Sequence, residues 1–453
     1  MTSILSFFRF NRPLFLRSLK LSTPIMLGSL GIVLMGVCDV LMLGKYSTSH
    51  QGSAAVSNGL FFLIVVFGMG VIFGISALIS NAMGEKRPFV VFAIFKKGLL
   101  AAVLLALGCM GLLFLLANNF WLLQQQDSIE VQGVAYLKVA TWSVLPMFLF
   151  VASRQLTDGV GVTKPAMYVT LIALPLNILG NYFFIFGNCG FPKMGAEGAA
   201  IASLIVRCFM AATLVIYIYS SKKFKIYRKD SRATKVTLFA IFAIGIPIGL
   251  QFLYEVGLFA IAKIFAGMLG EIELAAHEIA LSLASMTFMV AGGLSAGGAI
   301  MVGNANGANN PFKMKRVANV HYAMILMFMV FCAILFLIFN NALANLFSLD
   351  PKVIDLAAHM LIYVSAFQVF DGVATVSMGL LRGAKDVQYP SKVALVMYVF
   401  FGISVSCILA FYTPLGLHGL WLGLTLSLTG SAILLIKRYY NVIKVKKKKR
   451  LIA

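Results

Sequence analysis

The sequence predicts an all-α polytopic membrane protein with twelve transmembrane helices in two six-helix bundles related by a parallel repeat. Composition is the first reason: 60% of the 453 residues are apolar, 11% are charged and the mean hydropathy is +0.94. A soluble domain is about 25% charged. The second reason is that apolar runs of about 20 residues, enough to span a bilayer, recur along the chain. The third is the similarity between the two halves.

The apolar runs are long and continuous, which favours helices because the strands of a membrane barrel alternate apolar and polar residues. Twelve spans are predicted, at residues 22–45, 53–80, 93–117, 133–153, 165–188, 195–220, 236–266, 275–301, 318–340, 353–381, 391–413 and 418–436.

Lysine and arginine are concentrated in alternate connecting segments. Of the 37 basic residues, 31 fall in seven segments that alternate with loops carrying only four. The seven segments are residues 9–20, 86–97, 154–164, 222–235, 313–316, 382–392 and 437–450. This positive-inside pattern predicts that both termini are cytoplasmic. The net charge of +22 is therefore attributed to topology, and no nucleic-acid partner is expected. The terminal KVKKKKR run is expected to meet the headgroups of anionic membrane lipids.

A polar stretch in the middle of the chain separates two halves that repeat each other at an offset of about 223 residues. Pro24 corresponds to Pro247, and NAMG at 81–84 corresponds to NANG at 304–307. Six spans per half make the repeats parallel, an arrangement typical of secondary transporters. The predicted domains are a cytoplasmic segment 1–21, an N-lobe 22–220, a linker 221–235, a C-lobe 236–436 and a basic tail 437–453.

Three lone acids, Asp39, Glu255 and Asp371, lie in apolar runs. A charge at that depth costs about 2.5–3.5 kcal/mol and usually marks an ion path or a wet cavity. Glu255 and Asp371 are expected at one shared depth in the second bundle. Two such carboxylates cannot both stay ionised unpaired, so a proton or a small hard cation is expected there.

Oxygen ligands could be added to the Glu255–Asp371 site by Tyr254, Tyr363 and Thr375. The alternative is that these acids are structural and are satisfied by neighbouring hydroxyls or backbone. No resident metal is expected beyond a transported monovalent cation.

Asp39, toward the outer end of the first span, could pair with Asn177, Asn181 or Ser203, or could be solvated at the interface. Arg207 lies mid-span and is interpreted either as the counter-ion of Asp39 or as an arginine that snorkels along a cavity. Lys263, near the outer end of the seventh span, is expected to snorkel.

Catalytic motifs are not found in the sequence. HExxH, GxSxG and P-loop patterns are missing, and the five histidines lack metal-ligand spacing. We therefore expect neither an enzyme nor a cofactor, and no direct drive by ATP.

Motifs in both halves resemble those of the MATE (multidrug and toxic compound extrusion) transporters, in particular the NorM-type branch. The resemblance covers residues 15–440. It is carried by MGVCDVLMLG at 35–44, DGVGVTKPAM at 158–167, LPLNILGNYFFIFG at 174–187, LYEVGLFAIA at 253–262, AAHEIAL at 275–281, VGNANGA at 302–308, FQVFDGVATVSMGLLRGAKDV at 367–387 and GLHGLWLG at 416–423.

The resemblance implies a V-shaped pair of bundles that exports cationic or aromatic drugs in exchange for Na⁺ or H⁺. It implies that Asp39 is the N-lobe acid, near Asn177 and Asn181, and that Glu255 and Asp371 are the C-lobe cation-binding acids. Together with Ser203 and Arg207, the N-lobe residues are expected to form a polar site for a proton or for the substrate. It further implies a bacterial inner membrane, and we expect a monomer. The alternative is a flippase of the same broad fold for lipid-linked oligosaccharides or other lipids.

Overall fold

A computed structural model describes residues 2–124, 126–228 and 236–452, and within those ranges it contains helices and no strand. The helices are α1 (Thr2–Tyr46), α2 (Thr48–Gly84), α3 (Pro88–Asn118), α4 (Asp127–Trp142), α5 (Val144–Gly159), α6 (Lys164–Phe184), α7 (Ala196–Ser220), α8 (Lys222–Arg228), α9 (Leu238–Leu269), α10 (Glu271–Gly307), α11 (Pro311–Ile338), α12 (Asn340–Asn345), α13 (Pro351–Gly383), α14 (Gln388–Ala394), α15 (Ile403–Phe411) and α16 (Leu417–Ile452).

The predicted polytopic helical fold is confirmed. In the described part of the chain, eleven helical spans are long and apolar enough to cross a bilayer. Helices α4 and α5, bent by 42° at Ser143, make a twelfth if the pair is one span. One predicted span, 391–413, contains a π-helical segment, Leu395–Gly402, between α14 and α15.

Three segments predicted to lie outside the spans are largely helical. Residues of the predicted N-terminal segment 1–21 belong to α1, which begins at Thr2 and runs into the first span. The basic tail continues α16 as far as Ile452. Of the predicted linker 221–235, Lys222–Arg228 form α8, and residues 229–235 lie outside the described part.

Contacts group the chain into two compact units, Met1–Met26 with Leu250–Ala453 and Leu27–Gly249. We call these the second unit and the first unit, after the half of the chain that dominates each. Helices α1 and α9 each begin in one unit and end in the other, and both change unit two residues after a proline, Pro24 or Pro247. Proline removes a helical hydrogen bond, which makes these positions natural bends.

Glycines on neighbouring helices hold the exchanged segment of α1 in the second unit. A Cβ atom at Gly293 of α10 would overlap the side chain of Met26, and one at Gly297 would overlap the hydroxyl of Ser22. Small residues let helix backbones approach this closely. The exchanged segment of α1 therefore packs against α10 at the positions where α10 carries glycine.

Helix α13 is the centre of the second unit, packed against α10, α11 and α16. Its closest approach is to α10, where a Cβ at Gly379 would overlap the Ser295 carbonyl oxygen. The backbone of α13 is therefore fixed against α10 two turns beyond Asp371.

Substituting Gly379 with Ala should lower the stability of the second unit by about 1–3 kcal/mol, because the added methyl meets a backbone carbonyl that cannot move aside alone. The matched control is Gly292→Ala on α10, where a Cβ would meet open space. That substitution should be neutral or slightly stabilising, since alanine favours helix. Thermal unfolding in detergent separates the two, and equal melting temperatures would contradict the close packing described.

Candidate cation and substrate sites

Glu255 and Asp371 face each other across α9 and α13 in the second unit. The two helices contact each other on both sides of the acids, one turn from each acid on one side, and one turn from Glu255 and two turns from Asp371 on the other. The rings of Phe259 and Phe367 lie 6.1 Å apart, and Gln251 Nε2 lies 2.6 Å from Met378 Sδ. Because the helices run in opposite directions, this register brings position 255 opposite position 371.

The two acids form an electrostatically coupled pair. Asp371 is buried, 6% exposed, and Glu255 is half-buried. Their charges act on each other. Within the described ranges, no side chain or backbone group donates a hydrogen bond to either carboxylate. The oxygen donor set suits a proton or a small hard cation better than a soft metal.

Two residues near the acids were missed by the sequence analysis. The Arg382 guanidinium of α13 interacts electrostatically with Glu255. Tyr398 of the π-helical segment interacts with both Glu255 and Asp371, and its hydroxyl lies 3.4 Å from Ser431 Oγ. Arg382 fits the positive-inside topology pattern, and a π-helical bulge, which often occurs at functional sites, has no sequence pattern here.

The predicted auxiliary oxygen ligands are placed differently from one another. Thr375 follows Asp371 by one helical turn, and its backbone carbonyl accepts a hydrogen bond from Ser295 at 2.7 Å. Tyr363 lies about 12 Å from Asp371 along α13, with its ring 5.5 Å from that of His418. Tyr254 is half-buried and adjacent to Glu255 on α9. Tyr363 is therefore not brought to the acid pair.

In the first unit, the carboxylate of Asp39 is held by the predicted polar residues. Asn181 Nδ2 donates to Asp39 Oδ1 at 2.6 Å, and Ser203 Oγ donates to Asp39 Oδ2 at 3.1 Å. Asn177, which is buried, also lies within hydrogen-bonding reach. Asn177 and Asn181 sit four residues apart on α6, which places both amides on the helix face toward α1.

Arg207 lies beside this site without bonding directly to Asp39. Its guanidinium donates to the Ser143 hydroxyl at the α4–α5 bend and stacks 5.0 Å from the centroid of the Phe61 ring. Its charge still acts on Asp39 and Tyr136. A small cavity lies beside Arg207 and Ser203, and it is lined by Asn58, Phe61, Tyr136, Ala140, Ser143, Ala200, Ser203 and Arg207.

A second polar cluster in the first unit was not anticipated. Arg154 Nε lies 3.5 Å from Asp158 Oδ2 on α5, and both side chains are nearly buried. Arg154 also donates to the Ser29 hydroxyl of α1 at 3.1 Å. Both charges are visible in the sequence, but Arg154 also fits the positive-inside pattern of a cytoplasmic basic segment.

Lys263, expected to snorkel, forms an ion pair. Its Nζ lies 2.8 Å from Glu278 Oε1, and both side chains are largely exposed.

Comparison with known proteins identifies the class to which this fold and these sites belong. The sequence model of the MatE family matches twice, over residues 24–183 and 247–408. The two matches start 223 residues apart, as the internal repeat predicts. The chain is a membrane transporter and belongs to the MATE family, which confirms the resemblance.

Relatives and solved structures of this family extend over nearly the whole chain. The chain is 31% identical over 440 residues to a probable multidrug resistance protein NorM of Agrobacterium fabrum, covering 95% of this chain and 94% of the relative. It is 28% identical to the multidrug resistance protein NorM of Vibrio cholerae, covering 93% and 94%.

Among solved structures, an outward-facing multidrug resistance MATE family transporter matches with a TM-score of 0.88 at 18% identity, covering 96% of this chain and 97% of that one. The eukaryotic MATE transporter AtDTX14 matches with a TM-score of 0.86 at 19% identity, covering 98% and 99%. At these identities the structures show the shared fold alone.

Proposed function

We propose that this MATE family transporter is a cation-coupled antiporter that exports cationic amphipathic compounds by alternating access, with Na⁺ or H⁺ as the coupling ion. The observation that carries the proposal is the Glu255–Asp371 pair, two mutually coupled carboxylates on facing helices of the second unit. Their charges favour a bound cation, and a cation moving inward releases about 2.3 kcal/mol per charge per 100 mV of membrane potential.

The Asp39 site supplies the second half of the proposal. The Asp39 carboxylate, held by Asn181 and Ser203, supplies a negative charge that suits a cationic drug. The neighbouring cavity has aromatic, hydroxyl and Arg207 lining and holds only about one water molecule, so the site must open further to admit a drug. Drug and coupling ion then compete through the conformational equilibrium even though their sites lie in different units. A lipid-linked phosphate would meet acids at both sites, with a single arginine beside each, Arg207 or Arg382, and no basic cradle, so the flippase alternative is less favoured.

In this proposal the protein resides in a bacterial inner membrane as a monomer with both termini in the cytoplasm. The basic tail of α16 and the arginines of the first turns of α1 then lie at the inner leaflet, where anionic lipids attract them. No cofactor takes part, and the transported cation is a substrate of the exchange.

The proposal is tested by reconstituting the full chain in proteoliposomes with ethidium, a fluorescent cationic dye. Na⁺ and pH gradients are applied separately, each with the other ion clamped. We expect uphill dye movement under at least one gradient and its collapse when an ionophore dissipates that gradient. Dye movement that follows neither gradient would contradict antiport.

Replacing Asp39 with Asn should raise the half-saturating dye concentration about tenfold or more, because charge-assisted interactions of a carboxylate contribute about 1.5–3 kcal/mol. The cation dependence of transport should stay close to wild type, since Glu255 and Asp371 are intact. Glu197→Gln, a change to an exposed acid at the start of α7, is the control. An Asp39→Asn variant with unaltered dye affinity would remove this residue from the substrate site.

A further inference from the structure

Arg382 is an almost buried arginine, 9% exposed, near the end of α13. Its guanidinium carbon lies 5.6 Å from the centroid of the Phe252 ring, within the range of a cation–π contact. Phe252 precedes Glu255 by three residues on α9, so both lie on one helix face. The Arg382 charge acts on the Glu255 carboxylate across this short interval. A buried charge requires such an opposite charge to be stable.

The positions that precede and follow Arg382 by one turn do not offer it a free carboxylate. Asp386, four residues later, accepts a hydrogen bond from Arg438 Nε at 2.7 Å. Met378, four residues earlier, contacts Gln251 through its sulfur. The carboxylate whose charge acts on Arg382 is Glu255, on α9.

The internal repeat shows that this arrangement belongs to one half of the chain. Gly159 and Gly383 are equivalent, since a Cβ at Gly159 would meet α2 at Ser76 and one at Gly383 would meet α10 at Ala299. The residues just before them are Asp158 and Arg382, so one position carries opposite charges in the two halves.

In the first half the charge at this position, that of Asp158, is balanced by a residue of the same helix, α5. Asp158 pairs with Arg154, one turn earlier on α5. The residue equivalent to Arg154 in the second half is Met378, which cannot pair with Arg382. In the second half the buried charge of Arg382 therefore interacts with a carboxylate on another helix, Glu255 of α9.

The net charge of Glu255, Asp371 and Arg382 determines how many cations the site can bind. With both carboxylates ionised, Glu255 and Asp371 carry a charge of −2, and Arg382 reduces the total to −1, which one monovalent cation balances. We propose that Arg382 is a tethered counter-cation of Glu255 that competes with the coupling cation and limits the site to one monovalent charge. The inference rests on the proposed antiport function and names a positioning residue for it.

The expected consequence is that Arg382 lowers the affinity of the site for the cation and speeds its release. When the coupling cation leaves, the guanidinium remains to balance Glu255, so the empty site retains only one uncompensated charge. Without Arg382 the acids should hold the cation more tightly and release it more slowly, because attraction between unit charges near a protein surface is substantial.

The experiment titrates the driving cation in the ethidium proteoliposome assay with the full chain. Arg382→Gln and Arg382→Met should each lower the half-saturating cation concentration about fivefold or more and reduce turnover at saturating cation. Arg382→Lys retains the charge and should stay within about twofold of wild type. Lys385→Gln, an equal loss of charge at an exposed site three residues away, should leave the half-saturating concentration unchanged.

The outcomes separate this inference from the proposed function. A coupled wild type in which both neutral variants keep the wild-type half-saturating concentration would overturn the role of Arg382 alone, as would an equal shift in Lys385→Gln. A wild type driven by neither gradient would overturn antiport and this inference with it. Should neither neutral variant fold, Phe252→Leu removes the stacking surface and should lower the half-saturating concentration about twofold; no change would count against the proposal.

Discussion

Dye export coupled to a cation gradient should be abolished in a variant that combines Glu255→Gln with Asp371→Asn. Removing the two carboxylates deletes the charges that would hold the cation between α9 and α13. Loss of one partner from a buried charge pair costs about 3–5 kcal/mol, which corresponds to roughly a hundredfold or more in cation affinity. Gradient-driven accumulation of dye should therefore fall to the level of empty liposomes, while downhill equilibration of dye persists.

Controls for this result exist on α13 and on α10, which packs against it. Asp355→Asn changes an acid of α13 whose side chain is 76% exposed, and Glu271→Gln changes an exposed acid at the start of α10. Both variants should transport as wild type does. Each single substitution, Glu255→Gln or Asp371→Asn, should weaken coupling on its own because the two carboxylates act as a pair. Persistent uphill transport in the double variant would show that the coupling site lies elsewhere.

The sequence predicted the helical spans well because lipid leaves the backbone few choices. Every backbone N–H and C=O in a bilayer must be satisfied internally, so a continuous apolar run of sufficient length becomes a helix. The bend at Ser143 between α4 and α5 falls inside the apolar run 133–153. It lies three residues before Pro146, which cannot donate the helical hydrogen bond to the carbonyl of position 142 and so favours a kink there.

The acids in apolar runs could also be predicted from the sequence, because a charged group in lipid is as unfavourable as an unsatisfied backbone group. Asp39, Glu255 and Asp371 stand out because each is costly to bury. The residues that complete their surroundings do not stand out, because their cost is visible only in three dimensions. Tyr398 reads as one more aromatic residue in an apolar run, and it approaches the acids from a π-helical segment.

Basic residues near the ends of spans were the least predictable. Arg154 and Arg382 fit the positive-inside pattern as well as any exposed lysine does, so topology alone explains their presence. Their burial depends on neighbours that are distant in sequence, Ser29 for Arg154 and Phe252 for Arg382. A pattern of charges along the chain carries no information on those contacts.

The exchange of helix segments between units also depends on contacts that the sequence pattern does not reveal. Pro24 and Pro247 were predicted to correspond, but a proline only permits a bend. Which unit receives each segment depends on where a facing helix offers glycine. Gly245 and Gly249 of α9 approach the carbonyl oxygens of Val71 and Phe67 on α2, which keeps the beginning of α9 in the first unit.

The Arg154–Asp158 pair should have a larger effect on stability than the more exposed ion pairs Lys263–Glu278 and Arg438–Asp386. Arg154→Met or Asp158→Leu alone should destabilise the first unit by about 3–5 kcal/mol, because each leaves one charge nearly buried without its counter-charge. The double variant Arg154→Met with Asp158→Leu should recover much of that loss, since two apolar side chains of similar volume replace the pair. Unfolding by SDS titration, followed by tryptophan fluorescence, gives the three free energies and the coupling between the two sites.

The matched comparison is the exposed pair of Lys263 and Glu278, which has the shorter distance of the two, 2.8 Å against 3.5 Å. Its side chains are 56% and 41% exposed, so solvent screens the attraction, and Lys263→Gln should cost about 0–1 kcal/mol. Burial, and not the N–O distance, is then what decides the contribution of each pair. If Lys263→Gln proved as destabilising as Arg154→Met, or if the double variant were as unstable as the sum of the single ones, the Arg154–Asp158 pair would not be the buried, mutually compensating unit that its geometry indicates.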